Sequence, residues 1–119
     1  MIKRVLIADD NVDAAESLQL WLEMSGHEVH TALSGPAALQ VAETVKPQVA
    51  LLDVGMPGMS GLEVAAKIRE APWGREMVLI ALTGWGQEED RRRTKEAGFD
   101  HHLTKPVGPD TIEELIRQC

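Results

Sequence analysis

The residues able to do chemistry sit in three short stretches, each at the end of an apolar run. Asp9 and Asp10 follow the run VLIA, Asp53 follows VALL, and Lys105-Pro106 follows the segment from Phe99 to Thr104. Three carboxylates and one ammonium gathered at one edge of a sheet would bind a divalent cation and leave one aspartate able to accept a phosphoryl group. Adjacent carboxylates repel each other unless a cation lies between them. A hard ion such as Mg²⁺ keeps several of its waters, so a few protein oxygens are enough to hold it.

The elements that must position these groups follow a regular alternation. Residues Lys3 to Ala8 predict a buried strand, too brief for a helix and rich in β-branched residues. Ala15, Leu18 and Leu22 recur at helical spacing, with Asn11 or Asp13 to cap the start and Gly26 to stop the helix. Glu28 to Ala32 predicts a second strand, and Ser34-Gly35-Pro36 opens a helix running to about Val45. Gln48 to Leu52 predicts the third strand. Beyond the loop DVGMPGMS, Ser60 and Glu63 form a capping-box pattern, and Leu62, Ala65, Ala66 and Ile68 supply an apolar stripe. Met77 to Leu82 is a fourth strand, Gln87 to Ala97 a polar helix stopped by Gly98, and Phe99 to Leu103 a fifth strand. A last helix starts at Pro109 and Asp110, with Ile112, Leu115 and Ile116 on one side.

Strands alternating with helices imply an α/β fold, a doubly wound parallel sheet covered on both faces, because right-handed crossovers return each helix to one face or the other. Ligands of such sheets bind outside the carboxyl ends of the strands, at the topological switch point. Asp9, Asp10, Asp53, Thr83 and Lys105 all fall there.

Length and composition bound the function. A chain of 119 residues with 44% hydrophobic and 26% charged residues fits a single folded domain, residues 1–119. The longest apolar runs are strand-length and no leader pattern opens the chain, so a cytoplasmic protein without membrane insertion is expected. Cys119 is the only cysteine, which excludes an internal disulfide. A net charge of −7 argues against direct nucleic-acid binding. Arg91, Arg92 and Arg93 spread around a helix surface instead of forming one stripe. Adjacent His101 and His102 face opposite sides of a strand and cannot share a metal ion.

The acidic pair at Asp9-Asp10, D-x-x-M-P from Asp53 to Pro57, T-G at Thr83-Gly84 and K-P at Lys105-Pro106 stand in order at successive strand ends. Together they resemble the receiver domain of two-component response regulators, over the whole chain. The resemblance implies the flavodoxin-like strand order 2-1-3-4-5 with five helices. It implies Asp53 as phosphoacceptor from a phosphohistidine of a sensor histidine kinase or histidine phosphotransfer domain. It also implies Mg²⁺ (or Mn²⁺) held by Asp10, Asp53 and the Gly55 carbonyl, with Asp9 acting largely through water.

Lys105 and backbone N–H groups near Gly55 and Gly84 would neutralise the phosphoryl oxygens. Thr83 and His102 occupy the switch positions, relaying the signal to the face made by helix four, strand five and helix five. His102 stands where many receivers carry a larger aromatic. Trp85 would cover the opening to Asp53 and so slow hydrolysis, and Pro106 would follow a cis peptide. Self-catalysed phosphorylation and dephosphorylation are implied, but no separate enzymatic activity.

The stretch ALTGWGQEEDRRRTKEAGFDHHLTKPV is similar to receivers of hybrid sensor histidine kinases. The chain is accordingly expected to be either a stand-alone receiver or a relay module of such a kinase. Two other classes fit less well. A Mg²⁺-dependent phosphohydrolase with an aspartyl-phosphate intermediate needs a second carboxylate two residues past its nucleophile, and position 55 is glycine. A flavin carrier of similar topology needs a glycine- and hydroxyl-rich phosphate loop after strand one, where Asp9-Asp10-Asn11 would repel the phosphate.

Overall fold

A computed structural model of the chain describes residues 3–84, 88–105 and 107–118. Along them lie β1 (Arg4–Ala8), α1 (Val12–Met24), β2 (Glu28–Ala32), α2 (Gly35–Val45), β3 (Val49–Asp53) and α3 (Gly61–Glu70). A short 3₁₀ turn (Pro72–Gly74), β4 (Val78–Thr83), α4 (Glu88–Ala97), β5 (His101–Thr104) and α5 (Pro109–Gln118) complete the order. The strands pair in parallel in the order β2-β1-β3-β4-β5, as the sequence resemblance implies.

Alternation along the central strands builds two cores. On one face Val5, Ile7, Val49, Leu51 and Ile80 pack with Ala15 and Leu22 of α1 and Ile112 and Ile116 of α5. On the other, Leu6, Ala8, Ala50, Leu52 and Leu79 pack with Ala38 and Ala42 of α2 and Val64 and Ile68 of α3. Burial on both sides explains why these strands read as continuous apolar runs. Asn11, and not Asp13, caps α1: its Oδ1 accepts the Ala14 N–H at 3.1 Å. The helix ends where Gly26 takes a φ of +96°, which a side chain would strain.

The structure corrects some boundaries. β3 and β4 end one residue later than expected, on Asp53 and Thr83 themselves, and β5 begins at His101 and not at Phe99. In α3 the buried positions are Gly61, Val64, Ala65 and Ile68. Ala66, expected in the stripe, is exposed, and Leu62 is only half-buried. Ala66 lies roughly 100° round the helix from Ala65 and so points away from the sheet.

Arg69, near the end of α3, ties that helix to the starts of β4 and β5. Its guanidinium donates to the carbonyl oxygens of Gly98 (2.9 Å), Gly74 (2.9 Å) and Met77 (2.6 Å), and to Asp100 Oδ2 at 2.8 Å. The same Asp100 oxygen accepts the Leu79 N–H at 2.9 Å. The fork geometry of a guanidinium suits this multiple role.

Candidate functional site

The register of the sheet assembles the site. Ala8 pairs with Leu52, so the next residues, Asp9 and Asp53, leave adjacent strands at one level. Asp53 pairs with Leu82, and Thr83 pairs with Thr104, which puts Lys105 one residue beyond. Backbone hydrogen bonds continue across the strand tips. Asp9 N–H donates to Ala32 O (3.1 Å), Val54 N–H to Leu82 O (3.0 Å) and Lys105 N–H to Thr83 O (2.6 Å). The start of α3 presses against the same edge: a Cβ on Gly61 would lie 2.6 Å from the Asp53 carbonyl oxygen. Only glycine permits that approach.

Asp9, Asp10 and Asp53 each bring one carboxylate oxygen to within 4.8 Å of the others. Asp9 and Asp53 are buried and Asp10 is exposed. Asp53 holds both oxygens in place, Oδ1 accepting the Gly55 N–H at 2.9 Å and Oδ2 lying 3.1 Å from Lys105 Nζ. Asp9 Oδ1 accepts the Asn11 N–H at 3.0 Å, and its Oδ2 lies 3.4 Å from the same ammonium.

Burial pushes the Asp9 carboxyl above its usual value; the neighbouring charge of Asp53 adds to this, and the Asn11 N–H and Lys105 offset part of it. For Lys105, burial alone would lower the ammonium. The hydrogen bond and charge of Asp53, followed by those of Asp9, outweigh it and raise Lys105 above its ordinary range. One ammonium facing three carboxylates leaves an excess of negative charge made of hard oxygens, a donor set that fits Mg²⁺.

Beside Asp53 opens a cleft of about 290 Å³ lined by Gly55, Leu62, Thr83, Gly84, Arg93 and Thr94. Thr83 is buried at its rim. Its Oγ1 lies 2.9 Å from His102 Nε2, and His102 Nδ1 lies 3.1 Å from Oγ1 of Thr94 in α4. The other histidine of the pair, His101, is exposed and takes no part, as strand alternation requires.

Asp9, Asp10, Asp53, Gly55, Thr83, Gly84, Lys105 and His102 therefore converge on one edge. Trp85 and Pro106 lie outside the described residues. Sequence reasoning did not anticipate Gly61, Arg93 or Thr94. A glycine directly after the Ser60 cap was the one available signal for close packing. Nothing in the polar pattern of α4 distinguished Thr94, although it is buried.

The parallel fold and the acid-lined edge define a class that comparison makes definite. The chain belongs to the response regulator receiver domain family, whose model matches residues 5–117. It is 38% identical over 114 residues to an uncharacterised 14.6 kDa protein of Leptolyngbya boryana, covering 96% of this chain and 87% of that one. It is 35% identical over 117 residues to the alkaline phosphatase synthesis transcriptional regulatory protein PhoP of Bacillus subtilis, covering 98% of this chain and 48% of PhoP. The chain thus spans about half the length of that regulator. Among solved structures, the chemotaxis protein CheY4 of Vibrio cholerae superimposes with a TM-score of 0.94 at 28% identity, covering 99% of this chain and 98% of CheY4. The chain is therefore a phosphoacceptor signalling module. Receiver domains are phosphorylated by histidine kinases. Among the described residues no helix is long and apolar enough to cross a membrane.

Proposed function

We propose that Asp53 accepts the phosphoryl group, and that the domain itself catalyses both that transfer and the later hydrolysis. The carrying observation is the fixed state of its carboxylate: buried, held by the Gly55 N–H and Lys105, and facing the cleft that Thr83 and Gly84 border. An Asp53 oxygen attacks the phosphorus of a phosphohistidine, a P–O bond forms as the P–N bond breaks, and the imidazole of the donor leaves. Asp10, Asp53 and the Gly55 carbonyl would hold Mg²⁺ (or Mn²⁺), with Asp9 acting through a water. The ion would neutralise charge on the phosphoryl oxygens. Lys105 supplies a fixed positive charge on the same oxygens, already aimed at the carboxylate before transfer. Thr83 reaches the new phosphoryl group with its hydroxyl and carries the change to α4, β5 and α5.

The donor is a sensor histidine kinase or a histidine phosphotransfer domain, met in the cytoplasm. A groove of about 670 Å³ between α1 and α5 runs from Leu18, Trp21 and Ile112 to Asp9 and Lys105. Leu20 (62% exposed) and Met24 (79%) extend an apolar surface along α1. Such a face suits a donor helix that delivers its histidine to the site. Similarity to receivers of hybrid sensor kinases favours a relay role.

The test is intact-mass spectrometry after incubation with acetyl phosphate and Mg²⁺. The wild type should gain one phosphoryl group and Asp53→Asn none. Equal uptake by the variant would overturn the assignment.

A further inference from the structure

The imidazole of His102 lies between hydroxyls of two different elements, Thr83 at the end of β4 and Thr94 within α4. The Thr94 hydroxyl makes a second contact, donating to the carbonyl oxygen of Arg91 at 2.9 Å within its own helix. A carbonyl oxygen can only accept, and a hydroxyl has a single hydrogen. With that hydrogen on Arg91, Thr94 offers His102 Nδ1 only lone pairs, across 3.1 Å. Nδ1 must then carry a hydrogen. In a neutral ring Nε2 is bare, and the hydrogen spanning the 2.9 Å to Thr83 belongs to the Thr83 hydroxyl.

We propose that Thr94 is a positioning residue that fixes His102 as its Nδ1–H tautomer and thereby commits the hydroxyl hydrogen of Thr83 to His102 in the unphosphorylated domain. The inference rests on the reading of Asp53 as phosphoacceptor. A phosphoryl group presents acceptor oxygens alone, so Thr83 serves it only by turning its hydrogen away from His102. Thr83 and Nε2 then face each other lone pair to lone pair. The ring cannot relieve this by changing tautomer, because Thr94 would have to abandon Arg91 to donate to Nδ1. Phosphorylation at Asp53 thus breaks the side-chain link that Thr83 and His102 add to the β4–β5 ladder, at a bond whose polarity α4 has set. The switch is the transfer of one hydrogen bond, and Thr94 decides which way that bond points.

The experiment is a long-range ¹H–¹⁵N spectrum of the histidine-labelled chain, recorded where the ring is neutral. In the wild type Nδ1 should resonate in the protonated range and Nε2 in the bare range. Thr94→Val, of the same shape but without the hydroxyl, should move His102 toward the Nε2–H form, and Thr94→Ser should restore the wild-type pattern. A wild-type ring protonated on Nε2, or a Thr94→Val spectrum identical to wild type, overturns the proposal. Adding beryllofluoride with Mg²⁺ should shift wild-type Nε2 strongly as its bond to Thr83 is lost. Shifts around Asp53 with Nε2 unmoved overturn the coupling. Beryllofluoride that perturbs no resonance overturns the phosphoacceptor reading instead, and the tautomer measurements distinguish that failure from this one.

Discussion

Lys105 Nζ lies 3.1 Å from Asp53 and 3.4 Å from Asp9, so a single ammonium bridges two buried carboxylates that would otherwise repel each other. It is the resting counter-charge of the site, and in the proposed reaction it becomes the charge that meets the phosphoryl oxygens.

Replacing Lys105 with methionine should therefore act twice. The metal-free domain should melt at a lower temperature, because two carboxylates lose their partner, and the rise in melting temperature on adding Mg²⁺ should be larger than in wild type. Phosphoryl uptake from acetyl phosphate should slow roughly 10²-fold, the usual loss for one preorganised charge-stabilising donor. Thermal scans with and without Mg²⁺, beside a mass-spectrometric time course, check both; an unchanged rate would remove Lys105 from the reaction.

The raised Asp9 carboxyl gives the metal-free domain a defined pH dependence. A group whose folded pKa exceeds its unfolded value binds its proton more tightly when folded. Its contribution is complete below the unfolded value of about 3.9 and is lost as pH climbs through the raised one. Mg²⁺ competes with that proton, so its stabilising effect should grow across the same interval. Lys105, raised as well, contributes fully below the ordinary lysine range and loses that contribution as pH climbs from there through its raised value. Unfolding measured at a series of pH values should show the acid-side decline in wild type and a flatter curve in Asp9→Asn. Matching slopes would refute the role of Asp9.

A methyl group at position 61 has no room. Gly61→Ala places a Cβ 2.6 Å from the Asp53 carbonyl oxygen, so α3 or the tip of β3 must shift. The expected cost is roughly 1–3 kcal/mol of stability by overpacking, with slower phosphoryl uptake because Asp53 moves with its backbone. Chemical denaturation and the uptake time course measure the two effects, and a variant as stable and as fast as wild type would contradict the close approach.

Arg69→Ala strips donors from four backbone carbonyls, those of Gly74, Arg75, Met77 and Gly98, and from Asp100 at once, which should destabilise the domain by about 2–4 kcal/mol. Arg69→Lys should recover little, since an ammonium cannot reproduce the guanidinium fork. Urea unfolding of the two variants tests this, and full rescue by lysine would show that charge alone matters.

The fold was legible because the central strands β1, β3 and β4 are buried on both faces and α1, α2 and α3 each start with a local cap. Asn11, Ser34 and Ser60 all accept an N–H of the first turn, as their positions imply. The acidic edge was legible from the order of its motifs. Strand ends were harder to read. Hydrophobicity stops at Leu52 and Leu82, whereas pairing runs on to Asp53 and Thr83 because the backbone ladder does not depend on side-chain polarity. The burial of Ala65 and not Ala66 depends on the angle at which α3 meets the sheet, which spacing alone does not determine. Thr94 went unnoticed because its importance arises from β5 lying alongside, a relation no local pattern encodes.

The backbone bonds that join Asp9 to Ala32, Val54 to Leu82 and Lys105 to Thr83 have an evolutionary corollary. The positions of the reactive groups are written in main-chain pairing, which any side chain can satisfy, while the outer surfaces of the helices answer to different demands. If the proposed docking faces hold, a lineage can redraw the solvent-facing residues of α1, α4 and α5, and with them the proposed donor and recipient, without displacing the carboxylates of the sheet edge. Only a few inward-facing residues, Gly61 and Thr94 among them, bind a helix to the chemistry. At those points new partnerships are not free to rewrite the old machinery.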